Sequence, residues 1–235
     1  VYDDTVDPVR LLAGLDHAER DRHARIASER RRREYLASRW LLRQHLAAEL
    51  GAAPQAVALE YPPGGPPRSA DTAWHLGLSH SGLACMSLVA DAPAGCDIER
   101  VKTRRFAPER LAAHCFHPDE VADLGAAAPT DRLGDFHRLW TLKESALKAR
   151  GLGLGAGMTR PSFALRPRLS CTRAPDGDDW YFGAYDLEFP GGRFALAVAT
   201  ARPAATIHLA RMQPLSTGGA QHTALELDWQ ITARN

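Results

Sequence analysis

Residues 95–100 read GCDIER, and the fold turns on whether this short stretch is a strand. Cys96 and Ile98 alternate with Asp97 and Glu99. Successive side chains on a strand point to opposite faces, so Ile98 faces a core while Asp97 and Glu99 stand together on the other side. Like charges so placed repel, and they need either open solvent or a cation. Just upstream, HLGLSHS and LACMSLVADA (83–92) read as extended segments, and Gly82 between them suits a tight turn.

Helical patterns lie on both sides of these strands. Residues 16–50 form the longest, with Ile26, Tyr35, Leu36, Trp40, Leu41, Leu42, Leu46 and Leu50 on an apolar face and Gly51 and Pro54 ending it. A helix-prone segment runs from Pro108 to His117. Another covers Leu133 to Arg150, and GLGLGAG (151–157) stops it. Three more strands follow, SFALRPR (162–168), WYFGAYDLEF (180–189) and RFALAVATA (193–201), separated by DGDD and PGG turns. The mixture predicts an α/β (α+β) chain in two parts. Residues 1–98 hold the Arg-rich helices and the SHS segment, 99–210 hold the WTLKESALK helix, and 211–235 form an extension in which no chemistry is visible. The last strand leaves a glycine turn much as the strand after SHSG does, which points to two similar halves.

Bulk composition narrows the function classes. The net charge of +1 argues neither for a polyanion binder nor for a very acidic protein, and 45% hydrophobic residues give a 235-residue chain a sizeable core. No stretch approaches membrane-spanning length, and no basic region followed by an apolar run marks the start, so a cytoplasmic protein without membrane association is expected. Cys85, Cys96, Cys115 and Cys171 form no CxxC pair. They read as reduced packing residues rather than zinc ligands.

Chemistry concentrates in three segments. GCDIER alone is weak evidence, since many DxE strands face solvent. In WTLKESALKARGLGLG (140–155), Glu144 and Lys148 are i,i+4 neighbours on a helix, the spacing of a routine surface pair. In LSHSG, Ser79 and Ser81 fall on one side of an extended chain and His80 on the other. No GxSxG elbow accompanies them, which sets serine hydrolysis aside. Together the segments offer hard oxygen ligands in Asp97, Glu99 and Glu144, suited to Mg²⁺. Lys148, His80 and arginines of the early helices would surround an anionic ligand. That set fits phosphoryl or pyrophosphate chemistry. The arginines between Arg20 and Arg43 read either as a solvated face paired with Glu29 and Glu34 or as a phosphate-binding surface. GLGLGAG follows a helix and lacks a Lys-Ser/Thr, so it is neither a P-loop nor a dinucleotide fingerprint.

The order and spacing of SHS, GCDIER and WTLKESALK resemble the 4'-phosphopantetheinyl transferases, in particular the larger, two-halved kind that activates carrier proteins. ASRWLLR (37–43) and FHPDE, ending at Glu120, are similar to two further segments of that family. Cys96 replaces a usual aliphatic residue. The resemblance implies two similar halves related by a pseudo-twofold, with coenzyme A between them. It further implies Mg²⁺ held by Asp97, Glu99 and Glu144, and transfer of phosphopantetheine to a serine of an apo acyl or peptidyl carrier protein with release of adenosine 3',5'-bisphosphate. Lys148 would contact the pyrophosphate, while Arg39, His80 and Ser79 would contact phosphate. Arg22, Arg25 and Arg68 stand near where family members carry lysines for the 3'-phosphate. Glu144, or Glu120 through a water, is the candidate general base. A self-contained monomer serving natural-product or fatty-acid synthesis follows, with no nucleic-acid partner. Two other readings use the same residues: a magnesium-dependent hydrolase of small pyrophosphates, and an Arg-rich polyanion-binding module.

Overall fold

The computed structural model describes residues 7–62, 65–70, 73–103, 108–152, 157–174, 180–189, 191–202, 209–214 and 220–225. Chain contacts divide it into two compact units, Val1–Asp91 with Ile207–Leu227, and Ala92–Thr206 with Asp228–Asn235. GCDIER therefore lies whole within the second unit. The class is mixed α and β, and the described strand pairs are antiparallel.

The first unit is one long helix packed on a sheet. Helices α1 (Pro8–Ala13) and α2 (His17–Ala24) precede α3 (Glu29–Leu50). A turn of 3-10 helix, Pro54–Ala56, leads into strands β1 (Leu59–Glu60), β2 (Arg68–Ser69), β3 (His75–Ser81) and β4 (Ala84–Ala90), which lie side by side in that order. Ser28 caps the start of α3 by accepting from the Arg31 amide, and Gly51 ends it in the left-handed region at φ 60°. Leu42, Leu46 and Ala47 of α3 pack against Val57 and Leu76. Gly82 turns the β3–β4 hairpin at φ 61°, as its place in the sequence predicts. Strands β10 (Leu209–Pro214) and β11 (Ala220–Leu225) pair with each other.

At the front of α3 the arginines are paired rather than massed. Glu29 takes Arg32 and Arg33, and Glu34 takes Arg30 at 2.6 Å. Further along the helix, Arg43 is 0% exposed. Its Nε donates to Glu19 Oε2 at 2.5 Å and its Nη1 to the carbonyls of Val57 at 2.7 Å and Pro54 at 3.0 Å, while Nη2 bonds Asp16. Asp16 and Glu19 also form the capping box of α2. One guanidinium thus ties α2, α3 and the 3-10 turn together.

The second unit repeats the plan of a long helix on an antiparallel sheet. Strand β5 (Ala94–Arg100) leads to α4 (Pro108–Cys115), α5 (Pro118–Ala126) and α6 (Pro129–Ala149), then to β6 (Ser162–Ala164), β7 (Ser170–Arg173), β8 (Tyr181–Phe189) and β9 (Gly192–Thr200). The sheet order is β5-β9-β8, with β6 and β7 paired separately. Phe136, Leu139, Leu142, Ala146 and Leu147 of α6 share a core with Phe116, Phe163, Phe182, Ala197 and Ala199. Each large side chain buried there contributes about 1.5–3 kcal/mol. Helix α6 begins four residues earlier than the sequence pattern predicts, at Pro129. Helix α5 was not anticipated as a separate element. Its cap is His117, which accepts from the Asp119 amide and is joined in a capping box by Glu120. Among the described residues no helix is long and apolar enough to cross a membrane.

Candidate active site

The face of β5 that carries Gly95, Asp97 and Glu99 looks at α6. A methyl group at Gly95 would stand 2.3 Å from both Ser145 O and Ala149 N, main-chain atoms of that helix. The glycine is therefore required by close approach, and it lets the last turns of α6 cross the strand. Gly95→Ala is expected to force the helix outward at a cost of about 1–3 kcal/mol, as overpacking against an unyielding neighbour does. Denaturant unfolding checks this; an unchanged midpoint would contradict the contact.

That crossing brings Lys148 to Asp97, with Nζ 2.6 Å from Oδ1. Asp97 is 4% exposed, so the face opposite Ile98 is covered by helix rather than bathed in solvent. The cation demanded by two carboxylates on one strand face is supplied in this structure by the chain itself. Burial pushes the Lys148 pKa down, but the Asp97 carboxylate, with smaller help from Cys96 and Glu144, outweighs it and holds the pKa above its ordinary value. Glu144 lies one turn before Lys148, and Glu144 and Glu99 are both half-buried. Lys148, expected on a pyrophosphate, is thus engaged with Asp97. Among the described residues no three His, Cys, Asp or Glu side chains are grouped so as to hold a metal ion.

Glu120, expected as an alternative base acting through a water, lies inside the second unit. It is 1% exposed. Its Oε1 accepts from the Phe163 amide at 2.9 Å, and its Oε2 accepts from the His117 amide at 2.8 Å and meets Lys143 Nζ at 2.6 Å. Both oxygens of this carboxylate are thus engaged by backbone amides and an ammonium. Lys143, which the sequence reading passed over, is its partner.

The remaining candidates belong to the first unit. Arg39 lies on α3 with its guanidinium 4.9 Å from the Tyr35 ring centre and 4.2 Å from that of Tyr61. Two aromatic faces hold the planar cation. Its Nε is buried with no hydrogen-bond partner among the described residues, and the Tyr35 hydroxyl is in the same condition. Burial raises the pKa of Tyr35 and, more strongly, of Tyr61, so both stay protonated. Tyr61 donates to Glu19 Oε1 at 2.5 Å, which joins the Arg39 sandwich to the buried Arg43 network. Arg22, Arg25, Arg68 and His80 are exposed, and Ser79 is buried on β3. Tyr35 was expected only as part of the apolar face of its helix, and Tyr61 stands at the head of the Pro- and Gly-rich sequence YPPGGPP (61–67), so neither signalled a partner for Arg39.

The four cysteines are free thiols. Burial pushes Cys85 up to about 11 and Cys96 up to about 12, and it raises Cys171 to about 11, so these three offer no thiolate at neutral pH.

A model described as the 4'-phosphopantetheinyl transferase superfamily matches residues 93–199, the stretch from β5 through β9. The 4'-phosphopantetheinyl transferase HetI of Nostoc sp. is 33% identical over 67% of this chain and 68% of its own length. A 4'-phosphopantetheinyl transferase of Bacillus subtilis is 29% identical over 83% of this chain and 85% of its own length. The 4'-phosphopantetheinyl transferase psf-1 of Bacillus pumilus is 33% identical, and the match spans 58% of this chain and 57% of that protein.

Proposed function

The chain belongs to the 4'-phosphopantetheinyl transferase superfamily, and from that premise we propose that it moves the 4'-phosphopantetheine group of coenzyme A onto a serine of an apo carrier protein. The observation that carries the reading is the crossing of α6 over β5. It joins Asp97 to Lys148 one turn from Glu144, inside the matched stretch. In the reaction the serine oxygen forms a bond to the phosphorus next to pantetheine. The bond from that phosphorus to the bridging oxygen breaks, and adenosine 3',5'-bisphosphate leaves with the electron pair.

Asp97, Glu99 and Glu144 are the residues that would hold Mg²⁺: their donors are all hard carboxylate oxygens, although in this structure the three are not grouped around one point and Asp97 is paired with Lys148. Bound by these residues, the ion supplies charge neutralisation to the pyrophosphate. Lys148 is already positioned on Asp97 and carries a pKa that keeps it cationic, so it meets the phosphate oxygens as a fixed positive charge. Glu144 is the carboxylate that receives the serine proton. In the first unit, Arg39 presents a pre-oriented guanidinium to phosphate, with His80, Ser79, Arg22, Arg25 and Arg68 as further contacts. The similar plan of the two units supports their origin as related halves.

The paired state of Arg30, Arg32 and Arg33 speaks against a polyanion-binding module, because their charge is spent locally. The test is direct. The chain is incubated with coenzyme A, magnesium and an apo carrier protein, and the carrier's mass is measured. Gain of one phosphopantetheine is the expected result. Unmodified carriers of the acyl and peptidyl classes, with coenzyme A cleaved at the pyrophosphate, would replace the transferase by a hydrolase.

A further inference from the structure

Two of the most enclosed ionisable groups of the second unit are ones that the proposed chemistry leaves idle. Lys143, on α6, is 0% exposed, and Glu120, on α5, is 1% exposed. An ammonium has three hydrogens and no acceptor, and each hydrogen of Lys143 has an oxygen to meet. Nζ donates to Met158 O at 2.8 Å and to Pro161 O at 2.5 Å, and it lies 2.6 Å from Glu120 Oε2. The Phe116 ring closes the remaining side, its centre 5.2 Å from the ammonium. Glu120 in turn accepts from the amides of His117 and Phe163. The pair therefore grips the main chain at four places: His117 at the start of α5, and Met158, Pro161 and Phe163 where the chain enters β6.

That grip has a position that matters. Residues 158–163 bring the chain back after α6 has ended, and Lys143 fastens them to α6 itself. Lys143 is one residue before Glu144 and five before Lys148. A buried ion pair is weak as a source of stability, because desolvation offsets much of its attraction. What it does supply is a single geometry, with every hydrogen directed.

Resting on the transferase reading, we propose that Lys143 and Glu120 are positioning residues, a clamp that fixes the chain's return after α6 and so holds Glu144 and Lys148 against β5. On this view Glu120 acts on the reaction only through that geometry and does not take the serine proton.

Three variants of the full chain decide it: E120Q, K143M and the double variant E120Q/K143M. Each is measured by denaturant unfolding and by transfer kinetics across pH. Either single change leaves one buried group unmatched, so each lowers the unfolding midpoint and cuts kcat by about 100-fold through misplacement of the reacting groups. KM for coenzyme A changes far less. Removing both charges relieves the mismatch. The double variant is then more stable than either single one and regains about tenfold of the transfer lost in E120Q, with the acid limb of the wild-type pH profile intact.

A base at position 120 gives the opposite pattern. E120Q then unfolds like the wild type yet loses transfer together with the acid limb, and K143M restores nothing. That result overturns the proposal, as does wild-type turnover by both single variants. If a single variant fails to fold while the double variant folds, the clamp is supported by folding alone. Failure of the transferase reading is seen in the wild-type chain before any variant is made, whereas the unfolding cycle reports on the clamp with no substrate present.

Discussion

Asp97→Ala is expected to cut phosphopantetheine transfer by about 100- to 1000-fold, the range seen when one preorganised electrostatic group is removed from an active site. Two losses coincide at this residue. A carboxylate leaves the proposed ion-binding set, and Lys148 loses the anion 2.6 Å from its ammonium. With that anion gone, burial is left less opposed, and the Lys148 pKa falls from its raised position. Stability should change little, because the Lys148 side chain retains 34% exposure and can turn to solvent. Asp97→Asn separates shape from charge and should be nearly as inactive as the alanine variant. Transfer is followed by carrier mass and folding by denaturant titration. Full transfer by Asp97→Ala would sink the assignment of this site.

The second large effect concerns the fold. Arg43→Ala is expected to destabilise the first unit by about 3–5 kcal/mol, the cost of breaking a buried ion pair from one side. Glu19 is 3% exposed and would keep its charge without the guanidinium. The carbonyls of Pro54 and Val57 would lose their donor as well. Arg43→Lys can reach only some of the four partners and should fall between the two. The disturbance also passes along the side chains, since Glu19 holds Tyr61 and Tyr61 forms one wall of the Arg39 sandwich. Denaturant unfolding reported by Trp40 and Trp74 is the measurement. A loss below about 1 kcal/mol would mean that water satisfies Glu19 once the arginine is gone.

What the sequence made legible was local and periodic. Alternation marked GCDIER as a strand, the flanking turn signals marked HLGLSHS and RFALAVATA, and Gly51 and Gly82 marked a helix end and a hairpin turn. The i,i+4 spacing of Glu144 and Lys148 placed both on one side of α6. What escaped was long-range or unusual in type. Arg43 finds Glu19 and Asp16 at 24 and 27 residues' separation, and nothing in ASRWLLR distinguishes the arginine that goes inside from Arg39, which lies against tyrosines. Helix α5 hid because a histidine stands at its cap where Ser, Thr, Asp or Asn would give the usual signal. Lys143 hid because a lysine in a helix reads as solvated. Its burial becomes visible only when Glu120 and two carbonyls are found around it. For the same reason Lys148 read only as a contact for an incoming anion, and its pairing with Asp97 on β5 becomes visible only in three dimensions.

Gly95 has a meaning for how such a chain can vary. The atoms that would meet a side chain there belong to the main chain of α6, at Ser145 and Ala149, so no exchange of neighbouring side chains makes room. A lineage could trade Cys96 for another apolar residue and keep its strand, yet position 95 cannot drift by itself. Change at that point requires the helix to cross elsewhere, and the helix carries Glu144 and Lys148. The smallest residue in GCDIER is thus tied to the most distant partner of its acids, and the two can be inherited only together.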